Sequence, residues 1–130
     1  MVKVSDTLYG FLNAFSNLQL NNMMNFFDND ATAFFPIRHE RQRLNGKKEI
    51  REAFARVVGK IRSAGLSKIS LVAEDVDLMV FGDVALATFH IRDDDLSRRT
   101  LVLKHRNEKW VIVHLHASNA PLKTRLEDTL

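Results

Sequence analysis

Apolar residues recur at helical spacing through the first half of the chain and alternate with period two through the second. This change of period predicts an α+β fold. Turn-forming pairs separate the alternating runs, so the second half reads as an antiparallel meander. Three helices ahead of such a meander pack on one face of a strongly curved, mostly antiparallel sheet.

The first helix covers Ser5 to Leu18, where Leu8, Phe11, Leu12, Phe15 and Leu18 share a face and Ser5 or Asp6 supplies the N-terminal cap. A short second segment starts at Asn21-Asn22, packs Met23, Met24, Phe26 and Phe27, and ends at Asp28-Asn29-Asp30. Ala31 to Phe35 reads as a buried strand stopped by Pro36, because proline has no N–H to continue a ladder. After a polar loop through Arg43, Gly46 opens the third helix. Its stripe is Ile50, Phe54, Val57, Val58 and Ile61, its solvent face carries Lys48, Glu49, Arg51, Glu52 and Arg56, and Gly65 lies just beyond it. Four strands follow, roughly Ser67 to Phe81, Val84 to Ile91, Arg98 to His105 and Trp110 to Asn119. Gly82-Asp83 and Asn107-Glu108 suit tight hairpins, and Asp93-Asp94-Asp95 a solvated loop. The tail from Lys123 has little apolar content to hold it down, which leaves an ordered core over about residues 5–120.

At 130 residues with 45% apolar and 27% charged, the chain fits one domain with a core large enough to fold unaided. No apolar run approaches the roughly 20 residues that span a bilayer, and Met1 to Thr7 lacks the apolar core of a signal peptide. A cytoplasmic protein with no membrane partner is expected. Cysteine is absent, which excludes disulfides, thiolate ligands and cysteine nucleophiles. The basic run Arg38, His39, Arg41, Arg43, Lys47, Lys48 and Arg51 is interrupted by Glu40, Glu49 and Glu52, and no aromatics interleave for base stacking. It reads as a solvated loop and helix face, so no nucleic-acid partner is expected.

The segment Trp110 to Ser118, W-V-I-V-H-L-H-A-S, carries the most functional information. Uninterrupted alternation puts Trp110, Ile112, His114, His116 and Ser118 on one face, with Val111, Val113, Leu115 and Ala117 on the other. A half-polar cavity is the simplest environment for a face with an apolar base and imidazole tips.

The order of elements, with D-A-T-A-F-F-P at Asp30 to Pro36, L-N-G-K-K-E-I-R at Leu44 to Arg51, F-G-D-V-A at Phe81 to Ala85 and the segment above, resembles the SnoaL-like proteins of the nuclear transport factor 2 superfamily. The resemblance spans about Leu8 to Ser118. It implies a cone in which the sheet and three helices enclose a pocket, usually in a homodimer. That superfamily includes ketosteroid isomerases, polyketide cyclases, dehydratases and kinase association domains, so the fold alone does not choose a chemistry. By the same resemblance, the isomerase aspartate that moves the substrate proton corresponds to Phe35. The two hydrogen-bond donors to the oxyanion fall near Phe11 and Leu101. Without base and donors, ketosteroid isomerisation is disfavoured.

A two-residue turn at Asn107-Glu108 pairs His105 with Trp110, Leu103 with Ile112, Leu101 with His114 and Arg99 with His116. Arg99 beside His116 disfavours the imidazolium and leaves a general base, with Arg99 as anion clamp; a one-residue shift puts Arg98 there instead. His-x-His also suggests a metal, but His105 lies roughly 13 Å from the pair and no carboxylate stands at a ligand spacing, so neither metal nor cofactor is called for. Asp28-Asn29-Asp30 and Asp93-Asp94-Asp95 lack the pattern of a calcium loop. Ser118 has no nucleophile elbow around it, and no glycine-rich phosphate loop is present. The expected site therefore holds His116 and Arg99 as catalytic groups, with Phe11, Phe35, Trp110, His114, Ser118 and Tyr9 around a small, largely apolar ligand bearing a polar or anionic group. Proton transfer or dehydration fits those residue types. The alternative is a non-enzymatic homodimeric interaction module whose phenylalanines fill the cavity.

Overall fold

The computed structural model describes residues 3–37, 40–92 and 95–121; Arg38 and His39 of the basic run, Asp93 and Asp94 of the expected loop, and the tail 122–130 lie outside them. Helix α1 is Val4–Ser16 and buries Leu8, Phe11, Leu12 and Phe15, the stripe expected from spacing. The Lys3 N–H donates to Asp6 Oδ2 at 3.0 Å, so Asp6 secures the helix start from inside the first turn and Ser5 does not cap it. At Gly10 a Cβ would meet the ring of Phe26 at 2.8 Å; glycine lets that ring close on the helix. Leu18 at φ +56° then turns the chain into α2, Leu20–Met24, which buries both methionines.

Strand β1 is Phe27–Phe34 and contains Asp28-Asn29-Asp30, which the sequence reads as a turn ending the preceding segment. Both descriptions have a physical basis. The Asp30 N–H donates to Asp28 Oδ2 at 3.1 Å, a local turn, and the pairing jumps from Phe27 against Ile112 to Thr32 against His114. The turn chemistry is embedded in the strand as an irregularity. A two-residue strand unforeseen in the sequence, β2 (Leu44–Asn45), pairs with β1, and α3 follows as Lys47–Ser63, burying Ile50, Ala53, Phe54 and Val58.

Strand β3 begins at Ala73, not Ser67. Residues 64–72 form neither helix nor strand; Ile69 and Leu71 pack on the core, but their alternation has no ladder partner. Next come β4 (Val84–Arg92), β5 (Asp95–Arg106) and β6 (Lys109–Pro121). The turn between β5 and β6 has Asn107 at φ +50° and Glu108 at φ +65°, the two positive values of a type I′ hairpin.

The six strands lie in the order β2-β1-β6-β5-β4-β3, and only β1 with β6 runs parallel. The curled mixed sheet packs its inner face on α1 and α3. Strand β3 forms the far edge, and its Leu78, Met79, Val80 and Phe81 are exposed. Between the sheet and the helices, Phe54 touches the rings of Phe11, Phe15, Phe27 and Phe35 at centroid distances of 5.9, 5.3, 6.0 and 4.6 Å. Among the described residues, no helix is long and apolar enough to cross a membrane.

One irregularity decides where the site lies. His105 pairs with Trp110 and Leu103 with Ile112, as the hairpin predicts, but Val102 then pairs with His114. Val113 is the extra residue of a β-bulge. Alternation resumes one step late, so Leu115 and Ala117 join Ile112 on the buried inner face, while His114, His116 and Ser118 turn outward. The single face expected from Trp110 to Ser118 is divided in two.

Candidate functional site

Inside the cone is a cavity of about 370 Å³ bounded by two unlike walls. The apolar wall comes from Phe15 on α1, Phe35 after β1, Phe54 and Val57 on α3, Leu71, and Ile91 on β4. The polar wall comes from alternate residues of β5, namely Asp95, Ser97 and Arg99, with Asn119 of β6 beside them. Their pairing explains the common direction: Ser97 faces Asn119 and Arg99 faces Ala117 across the ladder, and the row continues into the buried Leu101 and Leu103.

Arg99 Nε donates to Ser97 Oγ at 3.1 Å, which fixes the guanidinium against the wall. Among the described residues Arg99 forms no ion pair. Burial pushes its pKa down to about 10, a value that still leaves it cationic at neutral pH. The polar wall therefore holds one cation, Arg99, and one carboxylate, Asp95, which form no ion pair with each other.

The outer face of the same strands holds a second, open groove, whose lining includes Asp75, His90, Arg98, Thr100, His114, His116 and Ser118, with Arg99 bordering it as well as the cavity. His116 pairs with Thr100 and Arg98 with Ser118. His114 Nδ1 and Thr32 Oγ1 share a hydrogen bond of 2.7 Å, and Phe34 packs on both imidazoles at 5.8 and 5.4 Å. Among the described residues no group of three or more His, Asp or Glu is arranged to hold a metal ion.

Residues 4–123 match the SnoaL-like domain. The chain belongs to the SnoaL-like domain family. No curated protein matches this SnoaL-like sequence at a significant level. Among solved structures it is similar to an NTF2-like protein of unknown function from Pseudomonas putida KT2440, at 18% identity and TM-score 0.78 over 94% of this chain and 87% of that one. It is similar to a candidate dehydratase of the NTF2-like family from Streptomyces avermitilis, at 19% identity and TM-score 0.75 over 90% and 93% of the two chains. A candidate calcium/calmodulin-dependent protein kinase type II association domain from Thiobacillus denitrificans shows 17% identity and TM-score 0.75 over 91% and 95%. At these identities the likeness concerns the fold.

Within this SnoaL-like cone the residues singled out in the sequence scatter. Phe35 and Arg99 line the cavity. Phe11 is 1% exposed and belongs to the aromatic cluster beneath it. Tyr9, half exposed, stands on the solvent side of α1. Trp110 lies at the start of β6, its ring tilted against that of His105 at 5.2 Å, with its carbonyl accepting from Thr7 Oγ1 at 2.9 Å. His114, His116 and Ser118 share the outer groove, so the expected pairing of Arg99 with His116 does not occur and Arg98 is the arginine on their face. The one-residue shift foreseen as the alternative does arise, from the bulge at Val113 instead of the loop. Ser97, Asp95 and Asn119 were missed; stepping back by twos from Leu103 and Leu101 through Arg99 reaches the first two.

His114 sits below its ordinary value of 6.5, first because partial burial disfavours the imidazolium, then through repulsion from His116 and Arg43, with hydrogen bonding at Thr32 acting the other way. The unfolded chain thus takes up this proton at higher pH than the folded one. The stability contribution is full above about 6.5 and is lost as pH falls through the lowered folded value. Urea midpoints measured from about pH 8 down to pH 5 are expected to fall, and His114→Gln to flatten part of that slope. An unchanged slope in the variant assigns the acid sensitivity elsewhere.

Proposed function

We propose that the protein binds a small, largely apolar molecule carrying a polar or anionic group inside the cone. The observation that carries this reading is Arg99, a cation in no ion pair among the described residues, set in the polar wall of a cavity of about 370 Å³ whose opposite wall is aromatic and aliphatic. That volume falls at the lower end of ligand pockets, and the mixture of many apolar walls with a few convergent polar groups is their usual make-up. If the bound molecule is also turned over by proton transfer or dehydration, the acid-base role expected of His116 falls to Asp95, because His116 does not line the cavity. Asp95 is the one carboxylate lining the cavity among the described residues, and Arg99 would hold developing negative charge. Native mass spectrometry of freshly purified protein is expected to show a discrete small added mass that is absent from Ala117→Phe, whose ring fills the cavity. A bare wild-type protein, or an added mass that survives the substitution, overturns the reading.

A second reading rests on the outer face. Met79, Phe81 and Val84 are exposed there beside the partly buried Leu86 and Val102, an apolar patch that a second copy of the chain would cover. A homodimer joined through this face leaves the cavity in each protomer untouched, so the two readings are compatible. The same spectrum reports the dimer.

A further inference from the structure

We infer that the molecule accepted by the cavity is an aromatic monocarboxylate, its carboxylate seated on the guanidinium fork of Arg99 and its ring against Phe35 and Phe54. This inference rests on the ligand-binding reading above and adds the chemical class.

Three observations carry it. The first is the unmatched charge. A cation moved out of water is costly unless it is paired, and here Ser97 Oγ satisfies only Nε while no carboxylate of the described residues reaches the fork. The Nη groups of a guanidinium held by its Nε are left to present two parallel N–H donors, the geometry that a carboxylate accepts in bidentate fashion. Burial is the sole cause lowering the Arg99 pKa, and no carboxylate of the described residues lies within ion-pair distance of it.

The second observation is the sign of the neighbouring charge. Asp95 leaves the same face of the same strand four residues before Arg99 and lines the same cavity. With one cation and one carboxylate the wall carries no net charge, so a single carboxylate on the fork of Arg99 is the most negative charge it accommodates, and a dianion such as a phosphate monoester is disfavoured. The third is the shape of the apolar wall. Phe35 and Phe54 meet at a centroid distance of 4.6 Å with planes 54° apart, and Phe15 meets Phe54 edge-on at 5.3 Å. Tilted and edge-to-face contacts of this kind extend naturally to a further ring. A cavity of about 370 Å³ limits the body to one or two fused rings.

Calorimetric titration of the full chain with 2-naphthoate and with its neutral isostere 2-naphthamide tests the class. Wild type is expected to bind naphthoate about tenfold or more tightly than the amide, since one probe forms a charge-assisted pair and the other does not. Arg99→Met is expected to bring the two affinities within about twofold by weakening naphthoate alone, and Arg99→Lys, which keeps the charge and loses the fork, to fall between. Asp95→Asn is expected to strengthen naphthoate a few-fold and leave the amide unchanged. This variant and the wild-type comparison decide the matter if Arg99→Met fails to fold. Equal affinities in wild type, or a preference that survives Arg99→Met, overturn the carboxylate assignment while the cavity reading stands. If neither probe binds, both fall.

Discussion

Replacing Phe54 with alanine is expected to lower the unfolding free energy by about 4 kcal/mol, measured as a shift of the urea midpoint at constant slope. Phe54 is where α3 meets the rest of the core: its ring touches Phe11 and Phe15 of α1, Phe27 of β1 and Phe35 beyond it. Removing it deletes transfer free energy and four aromatic contacts together. It also merges the space left behind with the existing cavity, so the site has little means of collapsing around the gap. Domains of this size are typically stable by only about 5–15 kcal/mol, so the variant should sit close to unfolding at room temperature. A loss below about 1 kcal/mol would mean that the aromatic cluster repacks and that the cavity walls are softer than their ring contacts indicate.

The second large effect separates the two faces of β6. Leu115→Asp is expected to abolish cooperative folding, because the side chain is 2% exposed and packed in the apolar core, where a carboxylate loses its hydration. His116→Asp, one residue later, is expected to change stability by no more than about 1 kcal/mol, since His116 stands on the exposed outer face. Circular dichroism melts of the two variants give the answer directly. Comparable losses in both would contradict the displacement of the alternation by Val113.

The pattern of success and failure in reading the sequence follows from the range over which each signal acts. Local signals were sufficient for α1, α3 and the Asn107-Glu108 hairpin, because an amphipathic stripe or a two-residue turn is specified by residues close together in the chain. They left open whether Arg98 or Arg99 faces inward, because that choice rests on cross-strand pairing; in the ladder Arg99 lies opposite Ala117. Elements that depend on a distant partner were not legible. Strand β2 exists only because Thr32 and Ala33 pair with Asn45 and Leu44. Residues 67–72 alternate like a strand but have no paired strand among the described residues, and Ile69 N–H instead donates to the Ser16 carbonyl at the end of α1. The bulge at Val113 is the costliest omission: a valine between two apolar neighbours looks like any other strand residue, and its skipped partner can be seen only across the ladder. A single unpaired residue separates the imidazoles from the arginine that the uninterrupted pattern had placed beside them.

The free edge of β3 has a consequence for how the protein behaves in quantity. Its last four residues, Leu78, Met79, Val80 and Phe81, are 36, 41, 57 and 63% exposed, and strand β4 pairs with only one side of them. A row of open backbone donors and acceptors flanked by such side chains is a template for strand addition by another chain. Towards its start the same strand carries Glu74, Asp75 at φ +53° and Asp77, where charge and an irregular ladder discourage that pairing. Association at high concentration is therefore expected to begin at the Leu78–Phe81 end of this strand, and Val80→Lys to raise the concentration at which it sets in.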